Sequence, residues 1–238
     1  MIDDRIISSL ENEIYDSEPY RIYNRLKVLT FSFKVFEGNY YQLNELLITI
    51  IEPKVYFEWG ITGKRKEFEA VMLEVSRCLQ NYLMSALALV AHTRNHIKKY
   101  YSDTPLFARY ELRAKNDFSE GLHQFIQDLR NYTVHDLLLL PSTRAQFEAD
   151  NEEQKGKIEI FIVLEKSRLN RYGNWSPKAK KYIDNLDENI NLINLTNEYF
   201  TLVTDFHLWM HSTLDEYHKN DSDWLERKYH ELEVFRSN

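Results

Sequence analysis

The sequence predicts a mainly α fold, an antiparallel helical bundle carrying a small β-hairpin insertion near residues 144–165. Three observations point there. The 238 residues include only 6 Gly and 5 Pro, so turn-forming material is scarce and the elements must be long. Over residues 67–101 apolar side chains recur every three or four positions, the period of one helix face. From Ala145 to Leu164 the period falls to two, the alternation of strands.

Taken in order, the first 60 residues carry helical stretches over 21–36 and 41–51. Over 67–101 the stripe Phe68, Val75, Leu79, Leu83, Leu87, Val90 and Ile97 belongs to a single helix, and about 35 residues at 1.5 Å rise give ~50 Å, the length of a central bundle member. Thr104-Pro105 reads as a cap with Pro at the first helical position. Asp117-x-x-Glu120 resembles a capping box that opens a second helix with Phe118, Leu122, Phe125, Leu129 and Leu137 on its core face. Pro141 disfavours helical geometry at Leu140 and is expected to end that helix there. Ala145, Phe147 and Ala149, a polar loop over 150–157, and then Ile158, Ile160, Ile162 and Leu164 make the hairpin. Ser176-Pro177 caps a short helix, a second long helix starts at Leu186 and runs through Ile190, Ile193, Phe200, Phe206 and Met210, and Asp221-Ser222-Asp223 starts a terminal helix. No repeat, low-complexity tract or linker divides the chain, which reads as a single domain over 1–238.

A chain of this length can bury a core without disulfides or metal. Its one cysteine, Cys78, falls inside a helical apolar pattern and reads as a buried thiol in a reducing compartment. The N-terminus Met1-Ile2-Asp3-Asp4-Arg5 is too polar for a signal peptide, and the run from Leu83 to Ala91 is far short of the ~20 apolar residues of a membrane span. A soluble, cytoplasmic protein is expected. The net charge of −7 argues against sequence-blind nucleic-acid binding, DNA included. The acidity is local, however: from Asp184 onward 12 acidic residues face 4 basic ones, and the remainder carries 25 acidic and 26 basic. Basic clusters at 64–66, 94–99, 109–115 and 166–181 leave room for a local anion site.

The chemically suggestive cluster is Leu129-Arg130-Asn131-Tyr132-Thr133-Val134-His135. It has the form R-x4-H with Asn after the Arg. With 14 Arg and 8 His, about one such spacing arises by chance, so the surroundings must carry the assignment. At 100° per residue Asn131 and His135 share a face, on a polar stripe with Glu120, Gln124 and Asp128, whereas Arg130 and His135 diverge by about 140°. A solvated face whose Arg and His suit the negative end of the helix dipole remains the plain alternative. His92-x3-His96 and His207-x3-His211, the latter extended by Asp215, place imidazole pairs on helix faces. Neither has the Glu of a zincin, and Glu120-x-x-His123 is the single Glu-x-x-His, so no metal or other cofactor is expected.

The motif, Gln80-Asn81-Tyr82-Leu83 and His92-Thr93-Arg94 upstream, and Leu140-Pro141 after it resemble the HEPN (higher eukaryotes and prokaryotes nucleotide-binding) superfamily, over about residues 66–141. That resemblance implies metal-independent RNA cleavage by a homodimer whose two motifs face one cleft. Within it, His135 would act as acid and base, Arg130 as phosphate binder and Asn131 as the group that orients His135 or the phosphate. Imidazole titrates near neutrality and can move the 2′-OH proton; a guanidinium offers fixed donors to phosphate oxygens. Arg94 is expected to reach the same cleft and touch substrate, an ion pair with a neighbouring carboxylate being its alternative. Asn81, among apolar neighbours, reads as a buried structural amide. Some toxins of the superfamily carry a Tyr two residues after the motif His that a partner nucleotidyltransferase modifies. Leu137 stands there in this chain. The resemblance allows an antitoxin or regulatory partner and a toxin or phage-defence setting. It also allows a non-catalytic module that binds a nucleotide or a protein; a purely structural helical dimer is the third alternative.

Overall fold

The apolar periodicities at 3.6 residues become helices. A computed structural model describes residues 4–61, 64–136, 138–150 and 155–237. Through them run α1 (Asp4–Tyr15), α2 (Glu18–Ile51), α3 (Pro53–Ile61), α4 (Arg65–Tyr101), α5 (Pro105–Asp117) and α6 (Gly121–His135), then β1 (Ser142–Asp150) and β2 (Lys155–Glu165). There follow α7 (Lys166–Leu169), α8 (Pro177–Asp184), β3 (Asn189–Asn191), α9 (Leu192–Tyr217) and α10 (Lys219–Ser237). The fold is mainly α with a small antiparallel sheet. Among the described residues no helix is long and apolar enough to cross a membrane.

The described chain divides into two compact units, Met1–Lys34 with Asp205–Asn238, and Val35–Thr204; α2 and α9 contribute to both. In the first unit, Leu10 and Ile14 of α1 meet Leu225 and Leu232 of α10, flanked by Tyr20, Trp224 and Phe235. Lys228 pairs with Glu13 across these helices at 2.8 Å. Such a half-exposed pair adds at most ~1 kcal/mol, so the apolar contact holds the helices together.

The second unit is built around α4. Its buried face, Val75, Cys78, Leu79, Tyr82, Leu83, Ala86, Leu89 and Ile97, follows the stripe read from the sequence. Tyr82 is fully buried, and its hydroxyl donates to the Thr196 carbonyl of α9 at 2.9 Å. Tyr40 of α2 stacks on Phe200 of α9, with centroids 3.7 Å apart and planes 6° apart, and its hydroxyl donates to Asn197 Oδ1 at 2.9 Å. Cys78 is buried, as its setting predicted. Asn81 is only half-buried.

Several boundaries differ from those read from the sequence. Residues 21–36 and 41–51 belong to one helix, because Phe36, Tyr40, Leu43 and Leu47 keep the buried face in register across Gly38. An isolated glycine costs a helix about 1 kcal/mol without ending it. Asp117 opens no capping box: it is the last residue of α5, where it accepts from Arg113 Nε, and Glu120, in extended conformation and without a side-chain cap bond, stands at the N-cap of α6. Phe118 therefore precedes α6. Ser176 caps α8 as expected, its Oγ accepting from Ala179 N. α10 begins at Lys219, ahead of Asp221.

The hairpin is present, with β1 and β2 antiparallel from Ser142↔Val163 to Asp150↔Lys155. Ile160, Ile162 and Leu164 of β2 are buried, while Phe147 of β1 is 65% exposed. Residues 189–191, expected to begin the long C-terminal helix, form β3 on the other edge of β2, pairing Ile190 with Leu164. Helical spacing of Ile190 and Ile193 is real, but a strand edge that would otherwise leave N–H and C=O groups unpaired decides the conformation.

Candidate functional site

Helix α6 presents the motif. Leu122, Phe125, Ile126, Leu129 and Tyr132 are its buried stripe. Its N-terminus lies hard against α8: a Cβ at Gly121 would sit 2.6 Å from Tyr182 Cβ. Two turns further, Asp128 is 7% exposed and accepts from the backbone N–H of Ser176 at 2.8 Å and from Gln124 Nε2 at 3.0 Å. Asp128 thus leaves the solvated stripe to which its spacing assigned it, because a carboxylate can be buried where donors satisfy it.

The helix ends at His135, five residues before Leu140. Asp136 N–H closes the last turn on the Tyr132 carbonyl. A carboxylate at Asp136 opposes the helix dipole, and Leu138 to Pro141 alternate exposed and buried, the pattern of extended chain entering β1. Leu137 lies outside the described residues.

The three motif side chains do not converge within one copy. Arg130 turns toward α4: its Nε donates to Met84 Sδ at 3.3 Å and its Nη1 to Asn131 Oδ1 at 3.1 Å. Asn131 therefore orients the guanidinium. His135 is exposed on the last turn, and among the described residues no hydrogen bond joins it to Arg130 or Asn131. Arg94 is exposed and lies ten residues beyond Met84, roughly 15 Å along α4. Its charge acts on the Tyr110 hydroxyl of α5, partly offsetting the burial that raises that pKa. Arg94 is not brought to Arg130, because α4 is much longer than the face it shares with α6.

Beside the motif, on the Tyr132 and Asp136 side of α6, a groove of about 590 Å³ runs between that helix, the end of β2 and α7. Leucines 138–140, Leu164 and Leu169 supply its apolar lining, and Arg168, Arg171 and Tyr172 its polar one. Glu165 accepts from Ser142, Arg168 and Arg144 at 2.8–2.9 Å. The Ser142 hydroxyl first, then those guanidinium groups, hold its carboxyl below the usual range. The Tyr132 pKa is raised by burial and by Asp136, and pulled back by Arg168 and Arg171, so three charges surround its hydroxyl. This groove was legible in the sequence only as the basic run over 166–181.

His123, weighed from the sequence only as a metal ligand, is half-buried with Nδ1 2.9 Å from the Tyr199 hydroxyl. Burial pushes its pKa down to about 4 and raises that of Tyr199, so the phenol donates to a neutral ring. His207 is buried and stacked on Phe33, at 4.2 Å and 3°, while His211 Nδ1 meets Asp215 Oδ2 at 2.9 Å. The His96 ring lies against Tyr100 and Tyr101. Among the described residues no group of three or more His, Cys, Asp or Glu is gathered as a metal site would need.

The chain was compared with protein-family models, curated proteins and solved structures, and none matches it.

Proposed function

We propose that the chain is a metal-independent endoribonuclease of HEPN type, in which two copies build one cleft from Arg130 of one protomer and His135 of the other. The observation that carries this reading is the arrangement on the last two turns of α6. Asn131 and Met84 hold the Arg130 guanidinium in place, and the His135 imidazole stands exposed one turn on. A fixed guanidinium and a ring open to solvent are the two components that cleavage of an RNA phosphodiester needs; their divergence within a copy is what a two-fold axis would correct.

In this scheme His135 accepts the proton of a ribose 2′-OH as O2′ attacks phosphorus. The bond to the 5′-oxygen breaks, that oxygen takes up the proton from the imidazolium so formed, and the products are a 2′,3′-cyclic phosphate and a 5′-hydroxyl, with His135 returned to its starting state. Arg130 donates to the nonbridging oxygens, where charge gathers in the transition state. The requirement for a 2′-OH confines the reaction to RNA.

Incubation of the purified chain with total RNA in EDTA, beside His135→Ala and Arg130→Ala, tests the reading. Cleavage is expected from the wild type and is lost in both variants; cleavage that survives both substitutions overturns the assignment. A second reading, a non-catalytic HEPN-like module that binds a nucleotide or protein, is favoured by one observation: the Arg130 guanidinium is already engaged within its own chain. Saturable nucleotide binding without any cleavage would select it.

A further inference from the structure

The groove beside the motif has chemistry that the cleavage scheme does not use. Its lining includes Tyr132 and Asp136, which flank His135 on α6 and in the residue that follows it. Its volume of about 590 Å³ falls within the roughly 300–1,000 Å³ of small-ligand pockets. Arg168 is committed to Glu165 and to the Leu140 carbonyl. Arg171 is different: it is exposed, and among the described residues no carboxylate pairs with its guanidinium. It lines the groove together with Tyr132. Tyr172 is half-buried, its ring fixed edge-on by Tyr132 at 5.0 Å and Trp175 at 5.1 Å. A rigid aromatic ring, an uncommitted guanidinium and a leucine floor in one groove suit a flat apolar body bearing a phosphate.

We propose that this groove holds the nucleotide next to the cleaved bond of a single-stranded RNA, with Arg171 on its phosphate and Tyr172 against its base. The proposal rests on the reading of α6 as an RNA-handling helix. Arginine is suited to the phosphate because its planar donors match two oxygens at once. Every base has a face to lay on an aromatic ring, so the subsite adds affinity without strict sequence preference. Asp136, at the end nearest His135, repels a second phosphate and accepts from a base amino group, which sets the direction in which the nucleotide lies.

The test uses the full chain and a fluorescent single-stranded RNA carrying 2′-O-methyl groups, which lacks the nucleophile and is not cut; binding is followed by anisotropy across a salt series. Arg171→Ala is expected to weaken binding and to reduce the slope of log K against log salt by about 0.7, one phosphate contact fewer. Tyr172→Leu, chosen because it keeps packing against Tyr132 and Trp175, is expected to weaken binding roughly 5- to 100-fold. Arg171→Glu, on an exposed side chain that folding does not need, should weaken it further than Arg171→Ala. Affinity and salt slope unchanged in all three variants, with the wild type binding and His135→Ala still abolishing cleavage of ordinary RNA, overturn the groove and leave the endoribonuclease reading standing. A wild type that neither binds nor cuts RNA overturns both.

Discussion

The carboxylate of Asp128, buried in the middle of α6, accepts a 2.8 Å hydrogen bond from the backbone N–H of Ser176, the residue that caps α8. One side chain thus ties the motif helix to the start of the helix packed against it. Asp128→Ala leaves the Ser176 N–H without an acceptor and removes one of the two acceptors of Gln124, and is expected to cost about 1–3 kcal/mol of stability. Asp128→Asn keeps one acceptor oxygen and should cost less. Urea unfolding of the two variants beside the wild type checks the order.

Two glycines on helices should respond in opposite directions. At Gly121 a Cβ meets Tyr182 Cβ at 2.6 Å and the Lys178 carbonyl at 3.1 Å, so Gly121→Ala forces α6 and α8 apart. The expected loss is about 1–3 kcal/mol. Gly38 lies inside α2 with nothing within 4 Å of its would-be Cβ, and Gly38→Ala should gain about 0.5–1 kcal/mol. The shift in denaturation midpoint at constant m gives both values.

The His123–Tyr199 contact predicts a pH dependence. Burial lowers the His123 pKa from an ordinary 6.5 to about 4 in the folded chain. Between these values the unfolded chain binds the proton and the folded chain does not, so stability falls as pH falls through this window. From about pH 7.5 to about pH 5 the loss from this one group is on the order of 2 kcal/mol. His123→Gln removes the titration: the variant is less stable at neutral pH, and its stability should fall less steeply than that of the wild type over the same range. His207, lowered to about 4 by burial and by His211, titrates in both proteins and cancels in the difference. Equal slopes in the two proteins would refute the assignment.

If the cleft combines Arg130 of one protomer with His135 of the other, inactive variants should complement. Arg130→Ala mixed with His135→Ala and allowed to exchange subunits forms heterodimers with one intact site, and activity returns to about a quarter of the wild-type value for a symmetric dimer. A site contained within one copy would leave the mixture inactive. Activity of the mixture against that of each variant alone decides between the two.

Some of this was legible in the chain itself. The stripe from Phe68 to Tyr101, the Thr104-Pro105 and Ser176-Pro177 starts and the alternation of Ile158 to Leu164 each depend on neighbours a few residues away, and each became the element it announced. The divergence of Arg130 from His135 follows from helix geometry alone, and the guanidinium does turn to Met84 and Asn131. The early end of α6, the strand at 189–191 and the burial of Asp128 were not legible, since each is decided by a partner distant in sequence. Extended chain must feed β1 after Leu138, β2 needs an edge partner, and Ser176 needs an acceptor.

The same division holds for the groove. The sequence by itself determined a mainly α chain with one hairpin and placed Arg130, Asn131 and His135 at the end of a helix, because periodicity, caps and side-chain phase are local properties of a polypeptide. Only the tertiary structure decided that Arg171 and Tyr172, about forty positions beyond the motif, come to stand beside it. Their neighbourhood is made by packing of β2 and α7 against α6, and burial of leucines in that packing acts between surfaces without regard to their order along the chain.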